Sequence, residues 1–204
     1  MLLQSLCLQK PKTYDNASCW KMATLSEDWF IEKKTTEVEP SLSPGLIVSS
    51  QKSLKTVIET DEQLSRKYTI SGKIDLLIEF DDGTFGIFDC KNTSGDSDKS
   101  WMYHTQLAAY KYCFERMGLG EVSQIGLIYQ IIDGFNKSED GTSNFTTQQK
   151  FVNVTPKMDQ FEKLLSSVIQ CLESETTPNS SPNCSFCKFA ENYNENLNLY
   201  SEDF

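Results

Sequence analysis

The sequence predicts a mixed α/β (α+β) domain: a small central mixed β-sheet flanked by helices. Three observations carry this. Across "YTISGKIDLLIEF", Tyr68, Ile70, Ile74, Leu76, Ile78 and Phe80 alternate with Thr69, Ser71, Lys73, Asp75, Leu77 and Glu79, the period of a half-buried strand. Asp81-Asp82-Gly83 then joins it to a second apolar run, the pattern of a hairpin. The order beyond is strand, strand, helix, strand, strand, helix, behind a helical lead.

A chain of 204 residues, 38% hydrophobic, suits one domain with a proper core. We expect an N-terminal helical or irregular part over 1–66, a core over 67–172 and a cysteine-bearing tail over 173–204. No run approaches the roughly 18 apolar residues of a membrane span. "MLLQSLCLQK" lacks basic residues ahead of its apolar part and makes a poor signal peptide. The expectation is a cytoplasmic protein with no membrane partner. Seven scattered cysteines, an odd number, argue for free thiols or a metal site rather than a disulfide framework. The net charge of −10 argues against a nucleic-acid binder, although a local basic strip can coexist with an acidic sum.

Taken in order, "SEDWFIEKK" predicts a helix starting at Ser26, with acids in its first turn. "EPSLSPG" reads as a loop, "LIVSS" as a short strand, and 51–65 as a polar, exposed helix. After the hairpin, 100–117 has helical spacing, with Trp101, Leu107, Ala108, Tyr112 and Met117 on one apolar side and "GLG" as its stop. "QIGLIYQII" is apolar on both faces and reads as a central strand. "DGFNKSEDGTSN" reads as a long polar loop and "TQQKFVNV" as an edge strand. "TPKMDQFEKLLSSVIQCL" reads as an amphipathic helix capped by Thr155.

The hairpin loop decides which side chains meet. A two-residue Asp82-Gly83 turn would put Asp75 and Asp89 on opposite faces. A three-residue loop, with glycine third in a left-handed conformation, would set Phe80 against Thr84, Asp75 against Asp89 and Lys73 against Lys91. Like charges facing each other on a sheet are destabilising, and a divalent cation between the acids would remove the penalty. Mg²⁺ suits such a pair, because it takes one or two carboxylates and keeps several waters. Asp89 and Lys91 share a face, so Cys90 should turn away, and Lys91 could hold a water beside the metal. This is an arrangement for metal-assisted phosphodiester hydrolysis. Gln106 and Tyr110, four residues apart, fall on one helical side within reach of a phosphate or of metal-bound water. His104, the single histidine, is a weaker substrate contact.

These segments, "SGKIDLLIEF", "DDGTFGIFDCKNTSG" and "YHTQLAAYKY", resemble the core of the PD-(D/E)XK nuclease superfamily, a restriction-endonuclease-like fold. They are most similar to the branch of RecB-type exonuclease domains and CRISPR-adaptation nucleases. The resemblance covers about residues 68–115 well. It implies that Asp75 and Asp89 hold the metal with the backbone carbonyl of Cys90, and that Asp75, Asp89 and Lys91 are catalytic. Gln106 and Tyr110 match its Q-x-x-x-Y helix and would contact substrate; Lys73 and His104 are further expected contacts, apart from the resemblance. The branch also uses an acid on an early helix; Glu27, Glu32 and Glu59 are all eligible, and the sequence does not choose.

Cys184-x-x-Cys187 matches part of the cysteine set with which some relatives hold an iron–sulfur cluster. Four thiolates are needed, from cysteines such as Cys7, Cys19 or Cys171, and they would serve zinc equally.

The leading expectation is therefore a Mg²⁺- or Mn²⁺-dependent (exo)deoxyribonuclease, in DNA repair, recombination or phage- or CRISPR-type processing. Its weak intrinsic DNA affinity would fit work beside a helicase or other DNA-processing protein. The alternatives are a catalytically inactive nuclease-fold module serving in binding or assembly, and a small zinc- or iron–sulfur-bearing interaction protein.

Overall fold

The structure is a computed structural model that describes residues 17–60, 65–93, 95, 99–176 and 178–201, with side chains described between 21 and 193. Cys7 and the side chain of Cys19 lie outside these. The chain divides into two compact units, one of residues 17–172 and one that includes 173–204.

The larger unit opens with helix α1 (Ala17–Phe30) and the short α2 (Thr35–Val38), followed by strands β1 (Gly45–Lys55), β2 (Glu59–Thr60), β3 (Lys67–Tyr68), β4 (Ser71–Phe80) and β5 (Phe85–Thr93). A 3-10 turn (Ser100–Tyr103) leads into α3 (His104–Arg116), and β6 (Val122–Lys137), β7 (Ser143–Asn153) and α4 (Met158–Leu172) complete it. The main sheet has five strands in the order β1-β4-β5-β6-β7. Only β5 and β6 pair in parallel, and α3 is the crossover such a pair requires. The sheet is mixed and flanked by helices, as the sequence predicts.

Two apolar clusters sandwich the sheet. On the side of α3, Leu77, Ile87 and Leu127 pack with Leu107 and Phe114. On the other side, Phe30 from the end of α1 packs with Ile47, Leu76, Ile78, Phe88 and Ile128. Each fully buried Leu, Ile or Phe contributes about 1.5–3 kcal/mol. Alternation fails at one point: Ile74 joins the cluster of Leu77, not that of Leu76. Gln51, bracketed by the pairs Ser50–Leu76 and Lys52–Ile74, lies across from Asp75 with φ +51° and disturbs the ladder there. The C-terminus of α3 is pinned to β6, because Lys111 Nζ donates to the Val122 carbonyl (2.6 Å) while Glu115 Oε1 accepts the Val122 N–H (2.9 Å).

Several expectations need correction. Ser26 does not start a helix; it lies inside α1 and its hydroxyl donates to the Ala23 carbonyl at 2.8 Å, a common mid-helix habit of serine. Residues 51–55 are strand rather than helix, so the sheet begins inside the 1–66 stretch, on an edge strand whose polar residues hide its period. Trp101 sits in the 3-10 turn, 72% exposed, off the core face of α3. The expected polar loop after "QIGLIYQII" is mostly paired strand, β6 reaching Lys137 and β7 starting at Ser143. Its residues are largely exposed, so no apolar period marks them. Thr155 does not cap α4; the first helical bond runs from Phe161 N–H to the Lys157 carbonyl at 3.0 Å.

In the smaller unit, the described residues 173–201 carry α5 (Ser185–Ser201).

Candidate metal centre

The site grows from the β4–β5 hairpin. Gly83 N–H bonds the Phe80 carbonyl and Phe80 N–H bonds the Thr84 carbonyl, both at 2.9 Å. Gly83 has φ +83°, the left-handed conformation of the third residue in a three-residue loop. Asp82 Oδ1 accepts the Thr84 N–H at 2.9 Å, and these bonds hold the Asp82 carboxyl below its ordinary range. The pairs run Glu79–Phe85, Ile78–Gly86, Leu77–Ile87 and Leu76–Phe88, so the next position sets Asp75 across from Asp89.

There the ladder ends. The Asp75 carboxylate, through Oδ2, takes the backbone N–H of Cys90 at 2.8 Å. Lys73, expected across from Lys91, lies beyond the last β4–β5 pair, Leu76–Phe88; it pairs only with Ser53 on β1 among the described residues and is exposed. No described contact joins it to the acids.

Asp89 is 1% exposed. Lys91 forms an ion pair with its Oδ2, and Gln106 Nε2 donates to its Oδ1 at 3.1 Å. The same Nε2 donates to the Tyr110 hydroxyl at 2.6 Å. Gly72 makes this possible, because a Cβ there would stand 3.0 Å from Tyr110 Cε1. Burial, with help from Asp75, pushes the Asp89 carboxyl up to about 6. Burial disfavours the Lys91 charge, but Asp89 outweighs it and holds the ammonium above its ordinary value. The Tyr103 ring lies 4.8 Å from Lys91 Nζ, a cation–π contact with no signal in the sequence. His104 opens α3 half-buried, and no described contact joins it to the cluster.

On the opposite side of β5, α1 supplies Glu27, 2% exposed. Burial and the nearby Asp75 raise its carboxyl above the usual range. Of the three eligible acids it alone joins the cluster among the described residues. Glu32 turns the chain after α1 with φ +64°, and Glu59 lies on β2. Gln51 Nε2 donates to Glu27 Oε2, and to Asp75 Oδ1 at 3.3 Å. Sequence reasoning missed Gln51, and its only mark is a left-handed φ that no local pattern announces. Cys90 turns away from the face of Asp89 and Lys91 and packs on the Phe30 side, where its sulfur meets Glu27 and Asp75. Ligand atoms of Glu27, Asp75 and Cys90 all lie within 4.8 Å of one another. Burial, then Asp75 and Glu27, push the Cys90 thiol up, so it stays protonated.

Three carboxylates and one ammonium thus lie around the end of the β4–β5 ladder. If all ionise, two negative charges are left over. Burial and mutual repulsion already drive two of the acids toward their neutral forms. Oxygen donors with that surplus charge fit a hard divalent cation such as Mg²⁺ or Mn²⁺.

In the smaller unit, Cys184 Sγ accepts the Cys187 N–H at 3.4 Å, and backbone bonding holds the Cys184 thiol below its ordinary value. Among the described residues, the metal-competent group is that of Glu27, Asp75 and Cys90, and it includes neither cysteine of this pair.

The family model of the PD-(D/E)XK nuclease superfamily matches residues 8–191. No curated protein matches the sequence. Among solved structures, the crystal structure of SSO0001 is similar at 15% identity and a TM-score of 0.46, over 87% of this chain and 70% of that one.

Proposed function

Because this chain belongs to the PD-(D/E)XK nuclease superfamily, we propose that it is a divalent-metal-dependent deoxyribonuclease centred on Glu27, Asp75, Asp89 and Lys91. The observation that carries the reading is the clustering of Glu27 and Asp75 with Cys90, next to the buried Asp89 that pairs with Lys91. Mg²⁺ or Mn²⁺, held by Glu27, Asp75, Asp89 and the Cys90 carbonyl, would supply Lewis acidity toward the phosphate and a more acidic bound water.

The protein's own groups do the rest. Asp89 keeps Lys91 charged, so its ammonium can hold a water by hydrogen bond and offset negative charge developing on the phosphoryl oxygens. Gln106 is committed to Asp89 and Tyr110, which makes it a positioning residue for both. Tyr110 accepts that bond and keeps its own proton to donate to a phosphate oxygen. Lys73 and His104, each two residues before a member of the cluster, are the further donors for flanking phosphates. Glu27 supports an active enzyme over an inactive scaffold, since it places an acid from an early helix beside Asp75.

The finer reading is an exonuclease of the RecB-like branch, acting in repair, recombination or phage- or CRISPR-type processing. The charge of −10 favours a helicase or other DNA-processing partner that supplies the affinity this surface lacks. No described helix is long and apolar enough to cross a membrane. A cytoplasmic site of action and a separate iron–sulfur or zinc site at Cys184 and Cys187 belong to the same reading.

The test is cleavage of single- and double-stranded DNA with Mg²⁺ or Mn²⁺ by wild type, Asp89→Ala and Lys91→Ala. Equal activity in all three ends the reading.

A further inference from the structure

One groove of about 360 Å³ lies beside the acidic cluster, lined by Leu25 and Trp29 of α1, Asn92 of β5, Gln130 of β6, and Thr147 and Gln149 of β7 among others. It shares two elements with the metal centre: Asn92 follows Lys91 on β5, and the groove residue Ser26 precedes Glu27 on α1. Cys90 and Asn92 project from the same face of β5, about 6.6 Å apart at the rise of a strand.

Gln130 is the telling residue. It is 4% exposed, and its Nε2 has no hydrogen-bond partner among the described residues. Its Oε1 accepts the Thr147 hydroxyl at 3.4 Å, which leaves the amide NH₂ as the unsatisfied half. A buried donor without an acceptor is a cost that folded proteins rarely carry. A ligand carbonyl in the groove would remove it. Opposite stands Trp29, its indole 54% exposed, with the Lys33 ammonium 5.2 Å from the ring centre. A large exposed indole, a nearby cation and a buried amide donor suit a planar heterocycle with carbonyl oxygens, attached to a phosphate.

We propose that this groove takes one unstacked nucleobase of a single-stranded DNA, stacked on Trp29 and hydrogen-bonded through a base carbonyl to Gln130, while the adjoining phosphate lies at the acidic cluster. The inference rests on the nuclease reading and sharpens it to single strands or frayed ends, because a base inside a duplex cannot reach the groove. A carbonyl on the base favours thymine over adenine.

The experiment is equilibrium binding of short labelled oligothymidylate, oligoadenylate and duplex DNA to the full chain, in EDTA at low salt so that cleavage plays no part. Wild type should bind oligothymidylate more tightly than either of the others. Trp29→Ala should weaken oligothymidylate binding about 5- to 150-fold, the range measured for one base stack. Trp29→Phe should recover most of the loss, and Gln130→Leu should narrow the preference for thymidylate over adenylate. If Trp29→Ala is poorly folded, the Trp29→Phe and Gln130→Leu measurements decide. No binding, a preference for duplex, or binding indifferent to Trp29 and Gln130 would overturn the proposal. Base-selective binding without cleavage would sink the nuclease reading and leave the groove standing; cleavage with binding indifferent to both residues would do the reverse.

Discussion

The carboxylate of Asp75 on β4 accepts the backbone N–H of Cys90 on β5 at 2.8 Å. A side chain thus takes over where the ladder stops, and it holds the segment that carries Asp89 and Lys91. Charge and hydrogen bond can be separated here. Asp75→Asn keeps an acceptor for Cys90 and removes one of three crowded negative charges, so without metal its Tm should equal or exceed that of wild type. Asp75→Ala strands the N–H and should cost about 1–3 kcal/mol. Both should lose most metal-dependent cleavage. Thermal melts with EDTA, read against activity with Mg²⁺, check the split.

Gly83 sets the register that brings the acids together. Nothing lies within 4 Å of a Cβ added there, so the penalty of a side chain is purely that of φ +83°. Gly83→Ala should destabilise by about 1–2 kcal/mol, and Gly83→Asn by less, since asparagine tolerates the left-handed region. Chemical denaturation of the three proteins measures this.

The raised acids give the metal-free protein an unusual pH dependence. Asp89 titrates near 6 when folded and near 4 when unfolded. Its contribution is full below the unfolded value and is lost as pH rises through about 6, because the unfolded chain releases the proton first. Glu27, also raised, acts in the same direction. Metal-free protein should therefore lose stability between about pH 4 and pH 6, the window from the unfolded to the folded value, and saturating Mg²⁺ should flatten the trend. Metal affinity, by calorimetry, should fall about tenfold per pH unit below about 6, where a proton must leave Asp89.

The thiols should differ in reactivity. Cys184 is held below its ordinary value, whereas burial pushes Cys113 up to about 11 and raises Cys90 further. Iodoacetamide at neutral pH, read by peptide mass spectrometry, should label Cys184 well before Cys90 or Cys113. The reverse order would contradict the placement of Cys184, half-buried just before α5, with its sulfur accepting the Cys187 N–H.

Much of the centre was legible because it is local. Loop length and one glycine decide the hairpin register, and the spacing of Gln106 and Tyr110 puts them on one helical side. The acid on the early helix was not decidable from sequence. Choosing Glu27 requires knowing that α1 starts at Ala17 and lies against β5, and the capping signal at Ser26 pointed to the wrong end of that helix. Gln51 was invisible for a different reason: its position across from Asp75 comes from β1, whose polar residues suggested an exposed helix. The β6–β7 ribbon was hidden because pairing without burial leaves no hydrophobic period.

The most direct test of the account is single-turnover cleavage of end-labelled DNA with Mn²⁺ by wild type and Lys91→Ala, each first shown folded and able to bind Mn²⁺. Wild type should cleave in a metal-dependent way, and the variant should lose on the order of 10²–10³-fold or more, the scale for removing one preorganised donor to the transition state. Undiminished cleavage by Lys91→Ala, or none by a wild type that binds Mn²⁺ and DNA, would contradict it.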